Sequence, residues 1–326
     1  MQAATSLSLI PPGTGGVRDY AAIVGGSIHA PVRELSAQTD TQDWSGDVLL
    51  LHFSGYGYHK RGIPSWLLEE LASLRERFRV FGVVFHELYA SGPPWRSAFW
   101  LSGMQRRIAS ELAGQADFWL TNRERAGSWL RTQAPEAPHR VLPVFSNVGE
   151  PAAAEHEREA SIVVFGSAGM RAPAYAWNDG EIFRFAKRHG LRIDDIGAPL
   201  QDRALANRLI EEGVQVRGML PAKEVSRALS QARHGALAYP ADFVGKSGIF
   251  AAYASHGTCP ILLTKDLAPC DGMQPDVEYA AGFDALERDP GLDPQAIGRA
   301  ARRWYEPHCI QAHAAALQAL SREARA

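Results

Sequence analysis

Short apolar runs alternate with amphipathic stretches along almost the whole chain, and this alternation breaks only once. Thr5–Ile10, Asp47–Phe53, Val80–Phe85, Phe118–Thr121 and Arg140–Phe145 read as strands, several of them nearly continuous in apolar residues. Such runs suit strands covered on both faces in a parallel sheet. Helical patterns lie between them at Ser65–Phe78, Ala98–Ala113 and Arg123–Thr132. In the first, Leu67, Leu68, Leu71 and Leu74 share one side, and Pro64 stands where a first-turn proline is tolerated. The break is Gly149–Ala160, polar, alanine-rich and interrupted by Pro151, which reads as a linker. The alternation then restarts. Strands are expected at Ile162–Phe165, Arg192–Ile196, Val214–Arg217, Ala236–Tyr239 and Pro260–Leu263. Helices are expected at Asp179–His189, Asp202–Glu212, Pro221–Arg233 and Ser247–Ser255, with a helical tail Pro294–Leu320 broken at Glu306-Pro307. Two βα series joined by a linker predict an α/β chain of two doubly wound, Rossmann-like domains facing a central cleft. The boundaries that follow are 1–150, 151–305 and a C-terminal helix at 306–326 that packs back on the first domain.

Composition narrows the function. At 326 residues the chain has room for two ordinary cores. Its 34 Lys and Arg stand against 36 Asp and Glu, so it lacks the basic excess of a nucleic-acid binder. Cys259, Cys270 and Cys309 form no CxxC pair and read as reduced structural thiols. Residues 1–10 have neither the basic start nor the apolar run of a signal peptide. No stretch reaches the roughly 18 apolar residues of a membrane span. The expectation is a cytoplasmic enzyme, with peripheral membrane contact left open.

Five segments carry candidate chemistry, and in a parallel sheet the reactive groups belong at the carboxyl ends of strands. Gly13-Thr14-Gly15-Gly16 follows the first strand and opens an amphipathic stretch, where glycines let a ligand approach the backbone at a helix N-terminus. A dinucleotide fingerprint would need glycine at 18, where Arg18 stands. His86-Glu87 ends the strand Val80–Phe85 and pairs an imidazole with a carboxylate, as a catalytic base or as a group that orients a hydroxyl. Ser54–Gly62 offers Tyr56, Tyr58, Lys60 and Arg61 to an acceptor, and Trp95 adds an aromatic face within Pro93–Trp100. Gly166, Ser167 and Arg171 lie in the turn after the first strand of the second half, suited to a phosphate and its counter-charge. Val244-Gly245-Lys246-Ser247-Gly248 ends like a Walker A loop, but Pro240 replaces its first glycine, so no ATPase is expected. Lys246, Ser247, Gly248 and the amides beside them still suit a diphosphate, with Asp242 as the nearest carboxylate for a sugar contact. DxD, HExxH and GxSxG are all missing, so neither a metal nor a nucleophilic hydrolase is expected.

Together, Gly15-Gly16, His86, the Gly166–Arg171 turn and the helix before His256-Gly257-Thr258-Cys259-Pro260-Ile261 resemble the GT-B glycosyltransferases. The likeness is to the large retaining nucleotide-sugar-dependent class, and the loops GYGYHKRG, FHELYA and PPWRSAFW are similar to a bacterial subgroup of it. The resemblance implies a hexosyltransferase-like enzyme that moves a sugar from a nucleotide-diphosphate donor to a glycan, glycolipid or small-molecule acceptor. In that class two glutamates in an E-x7-E pattern contact the donor sugar and the ribose. Here the matching positions are Val244 and Ala252. That departure keeps two other readings alive: a degenerate subunit that serves a partner transferase, and a sugar-nucleotide epimerase.

Overall fold

The structure, a computed structural model, describes residues 5–90, 95, 97–152 and 157–325, and the side chains of 97 and 98 lie outside that description. The chain divides into two compact units. One runs to Pro143 and resumes at Ile310; the other is Val144–Cys309. The crossing lies upstream of the polar stretch at 149–160, because residues 144–150 bond into the second unit. Val144 donates to the Gly245 carbonyl at 2.8 Å, and the Ser146 amide donates to the Tyr305 hydroxyl at 2.9 Å.

The first unit holds one parallel sheet of β1 (Ser6–Ile10), β2 (Val32–Glu34), β3 (Gly46–Phe53), β4 (Phe78–Phe85), β5 (Phe118–Thr121) and β6 (His139–Val141). Their spatial order is β2-β1-β3-β4-β5-β6. Alternation along β3 sorts its side chains between two layers. Leu49, Leu51 and Phe53 join Leu67, Leu71, Leu74, Ile108 and Leu112 in one core, each fully buried aliphatic group contributing about 1.5–3 kcal/mol. His52 points the other way, toward Tyr20 of the helix Gly16–Ile28. The helix Ile310–Glu323 covers the same face and packs on Gly16–Ile28. Sequence reading missed β2, which is three residues long and lacks an apolar run.

The second unit holds β7 (Glu159–Phe165), β8 (Arg192–Ile196), β9 (Gln215–Gly218), β10 (Ala232–Ala238) and β11 (Cys259–Leu263), all parallel in the order β11-β10-β7-β8-β9. Its core gathers Ile162, Val164, Tyr175, Phe183, Ile193 and Ile261. The segment after Ser167, read as a turn, is instead a helix, Ala168–Ala176, with Pro173 inside it. Proline breaks helices by removing a donor and crowding the preceding turn, and that local rule hid this short, packed helix. The helix Gly248–Ser255 is buried along most of its length and ends at Gly257, whose φ of +63° suits a left-handed helix terminus. Cys259, Cys270 and Cys309 are joined in no disulfide. No described helix is long and apolar enough to cross a membrane.

Candidate functional site

Each sheet reverses its winding once. In the second unit the reversal falls between β7 and β10, since the chain adds β8 and β9 on one side of β7 before returning to the other. Ligands of open α/β sheets bind at the carboxyl ends of such a pair. Gly166 follows β7 with φ +126°, and a Cβ added there would stand 2.6 Å from Cδ1 of Ile249. That contact brings the expected Gly166-Ser167 turn against the first turn of the helix Gly248–Ser255. The helix is preceded by a 3₁₀ turn, Ala241–Lys246, which carries Asp242 and Lys246. Ser247 caps the helix: its hydroxyl accepts the Phe250 amide at 3.2 Å, and its residue is buried. The cap fixes where the remaining first-turn N–H groups point, and those groups are the positive end of the helix. Lys246 is half-buried, with its ammonium 5.1 Å from the centre of the Phe243 ring. Asn147, which the sequence did not single out, belongs beside it. A Cβ at Gly248 would lie 3.9 Å from its Oδ1, so its amide stands at the helix start.

Arg171 corrects the sequence reading. It was expected to neutralise a phosphate, yet it is 1% exposed. Its Nε donates to the Gly166 carbonyl at 3.0 Å, and its other nitrogens donate to Asp195 and to the Ala198 carbonyl. Tyr175 donates to the second oxygen of Asp195 at 2.8 Å. The guanidinium therefore rivets the turns after β7 and β8, and shapes the Gly166 turn from beneath. Arg171→Ala should destabilise the fold by about 3–5 kcal/mol, because it strands a buried carboxylate; urea unfolding measures this. The E-x7-E positions are likewise core. Val244 and Ala252 are 1% and 0% exposed, so neither faces a ligand. His256 is also structural: it bonds the Ala252 carbonyl at 2.7 Å through Nδ1 and Ser226 Oγ at 2.8 Å through Nε2.

In the first unit the winding reverses between β1 and β3. The turn after β1 is open: a Cβ at Gly13, Gly15 or Gly16 would meet nothing within 4 Å. Arg18, in the place of a fingerprint glycine, donates back to the Gly13 carbonyl at 2.7 Å and pairs with Glu34. Pairing of β3 with β4 sets His52 opposite Val84, so His86, two residues on, shares its face. His52 Nδ1 lies 3.2 Å from His86 Nε2, and Tyr20 meets both rings edge-on. Tyr20 in turn contacts His313 of the C-terminal helix, hydroxyl to Nδ1 at 2.6 Å, and His313 Nε2 bonds the Pro143 carbonyl at 2.9 Å. A carbonyl only accepts, so His313 Nε2 carries the proton and its Nδ1 accepts from Tyr20.

The tautomer of His86 follows from its partner. His52 Nε2 is buried without a partner, and an orphaned lone pair is tolerated better than an orphaned N–H. The proton between the rings therefore sits on His52 Nδ1, and His86 keeps its own on Nδ1. Burial, outweighing the carboxylate of Glu87, pushes His86 down to about 4, so it is neutral at pH 7. His86 is thus built to donate a hydrogen bond and to orient an oxygen; the base reading would need the reverse tautomer. Glu87 is exposed and accepts from Ser54 Oγ at 3.2 Å.

The acceptor-side residues separate into two kinds. Tyr58 was expected to stack on a sugar, but it is buried in the core against Trp66, and burial holds its phenol well above the ordinary range. Tyr56, Lys60, Arg61 and Trp95 are exposed. Pro93, Pro94 and Arg96 of the aromatic segment lie outside the described residues. His52, Tyr20 and His313 were missed, although a histidine inside the apolar run Leu49–Phe53 was a readable signal. Among the described residues no group of three His, Cys, Asp or Glu side chains is arranged to hold a metal ion.

No family model and no curated protein matches the sequence. Solved structures do. The structure of Anabaena Alr3699/HepE in complex with UDP and glucose is 13% identical, with 98% of this chain and 99% of that one covered and a TM-score of 0.59. The pneumococcal O-GlcNAc transferase GtfA in complex with UDP and GlcNAc is 14% identical at a TM-score of 0.57, covering 85% of this chain but only 57% of GtfA. AviGT4, a glycosyltransferase involved in avilamycin A biosynthesis, is 15% identical, with 98% and 97% covered and a TM-score of 0.50. At these identities the likeness establishes the fold: two Rossmann-like domains of the GT-B type.

Proposed function

We propose that this chain is a glycosyltransferase that takes a sugar from a nucleotide-diphosphate donor without a bound metal. One observation carries the reading. Within a GT-B fold, the Gly166 turn and the capped N-terminus of Gly248–Ser255 meet at the switch point of the second unit, with Lys246 beside them. Amide dipoles and an ammonium there suit a diphosphate, and they take the role that a cation fills elsewhere. Asn147, at the helix start, and Asp242, in the preceding 3₁₀ turn, are the groups assigned to contact the rest of the donor. On the first unit, the Nδ1–H of His86 orients a substrate oxygen. The acceptor hydroxyl, lying between Tyr56, Lys60 and Arg61, gives its proton to Glu87. Its oxygen forms the new bond to the anomeric carbon, and the bond to the diphosphate breaks with its electron pair. Preorganised charge at the departing group supplies much of the rate in such chemistry.

A thermal-shift screen against UDP, GDP, ADP, CMP and dTDP, with EDTA and with magnesium, tests the donor site. UDP comes first because HepE and GtfA were both determined with it. A diphosphate at 100 times its Kd stabilises the native state by about 2.7 kcal/mol. The expected result is a rise in Tm with one diphosphate that EDTA leaves unchanged. A shift that needs magnesium would end the metal-free part of the proposal, and no shift at all would end the donor site.

The burial of Val244 and Ala252 supports a second reading, in which the chain binds nucleotide sugar but serves a partner transferase. That reading gives the same thermal shift and no transfer by the chain alone.

A further inference from the structure

Nine large hydrophobic side chains are exposed among the described residues, and five of them fall in one region: Tyr56, Trp95, Phe99, Trp100 and Met104. Trp95 and Trp100 are 83% and 73% exposed. A cluster of this kind on a water-soluble surface marks an interaction site. The helix Ser97–Gln115 arranges the residues by period. Trp100, Gly103, Met104 and Arg107 follow the i, i+3, i+4, i+7 spacing of one face, and all are exposed. Gln105, Ile108, Ala109 and Leu112 line the buried side.

Gln105 joins this helix to the loop after β3. It is 2% exposed; its Nε2 donates to the Tyr56 hydroxyl at 3.1 Å and to the Arg61 carbonyl at 2.8 Å, and its Oε1 accepts the Ala90 amide at 2.7 Å. Through these bonds Lys60 and Arg61 are held alongside the aromatic face. Arg106 stacks over Tyr89 at 4.4 Å, and Arg107 pairs with Glu111 at 2.8 Å. Cations outnumber carboxylates here: Lys60, Arg61, Arg106 and Arg107 stand against Glu87, which accepts from Ser54, and Glu111, which pairs with Arg107. Neither Ser54–Gly62 nor Trp95–Ser110 contains a carboxylate, although the whole chain carries a formal charge of −2.

We infer that this surface docks on an anionic lipid bilayer. Tryptophans, a phenylalanine and a methionine flanked by cations are the composition that settles at a membrane interface, rings among the headgroups and cations against anionic lipid. Self-association fits less well, because a two-fold pairing of the patch would set its cations against one another. The inference deepens the transferase reading by making the acceptor a lipid-linked one, and it rests on that reading for the acceptor alone.

Co-sedimentation of the full chain with vesicles tests it, in the absence of any donor. The probes are phosphatidylcholine vesicles and phosphatidylcholine vesicles containing phosphatidylglycerol. Binding should favour the anionic vesicles and weaken as salt rises. Trp95→Ser with Trp100→Ser should weaken it at least tenfold without moving Tm. Lys60→Ser and Arg61→Ser should each weaken it roughly fivefold, while Lys223→Ser, the same charge change elsewhere on the surface, should not. No binding at low salt, binding indifferent to the two tryptophans, or a stable dimer dissolved by Trp100→Ser would each overturn the inference. Because no donor is present, such a failure leaves the diphosphate site standing, and the nucleotide screen judges that site by itself.

Discussion

Lys246→Ala should lower transfer by roughly 10²–10³ in kcat, the loss that follows removal of one preorganised charge or donor at a leaving group. The ammonium ends a 3₁₀ turn immediately before the helix cap, where it is half-buried over the Phe243 ring. Its side chain lies outside the second unit's apolar core, so urea unfolding of the variant should stay close to the parent. Charge grows on the diphosphate as the glycosidic bond breaks. The effect on kcat should therefore exceed the effect on donor KM. Lys246→Arg keeps the charge but not its compact shape, and should recover only part of the rate. Undiminished turnover in Lys246→Ala would remove this residue from the mechanism. A chain that binds diphosphate but transfers nothing, with or without Lys246, would instead favour service to a partner.

Much of the architecture was readable because both sheets are parallel. Runs such as Leu49–Phe53 and Ile162–Phe165 must be covered on two faces, and few other elements use that composition. Reading failed where local signals were short or contradictory. β2 has three residues, and the helix Ala168–Ala176 contains a proline. At the sites, sequence found the positions of turns but not the direction of side chains. Gly166, Lys246 and His86 do sit at strand ends or at a helix entry. Arg171 and Tyr58 carry the same chemistry at neighbouring positions and turn inward, a choice set by Asp195 in one case and the packing around Trp66 in the other. The His52–His86–Tyr20–His313 cluster joins residues from four elements across nearly the whole chain. No local pattern encodes such a contact, because it depends on strand register and on where the last helix packs.

The imidazoles of that cluster, together with two buried in the second unit, set up the largest expected effect on stability, a steep loss below neutral pH. His52, His234, His256 and His313 are each at most 3% exposed, and His86 is half-buried. Burial is the leading cause that lowers every one of them: His86, His256 and His313 to about 4, His234 to about 3, and His52 well below its ordinary value, with His86 adding to the effect. In the unfolded chain each returns to about 6.5. Between 6.5 and its folded value, each group binds more protons unfolded than folded, so stability falls as pH falls. The stability is fully present above the unfolded pKa, and its loss is complete once pH passes below the folded one. One group contributes about 1.4 kcal/mol per pH unit across that window. Five together exhaust a stability of about 5–15 kcal/mol within one to two units, which puts acid unfolding near pH 5, above the range where most carboxylates titrate. Urea midpoints measured from pH 8 down to 5 should therefore fall steeply. His234→Leu, which removes one titrating group from the second unit's core and leaves no partner stranded, should flatten the slope by about one proton. A stability constant between pH 7 and 5 would mean that these imidazoles reach solvent or charged partners in the folded state, and would undo the neutral tautomers assigned to His86 and His313.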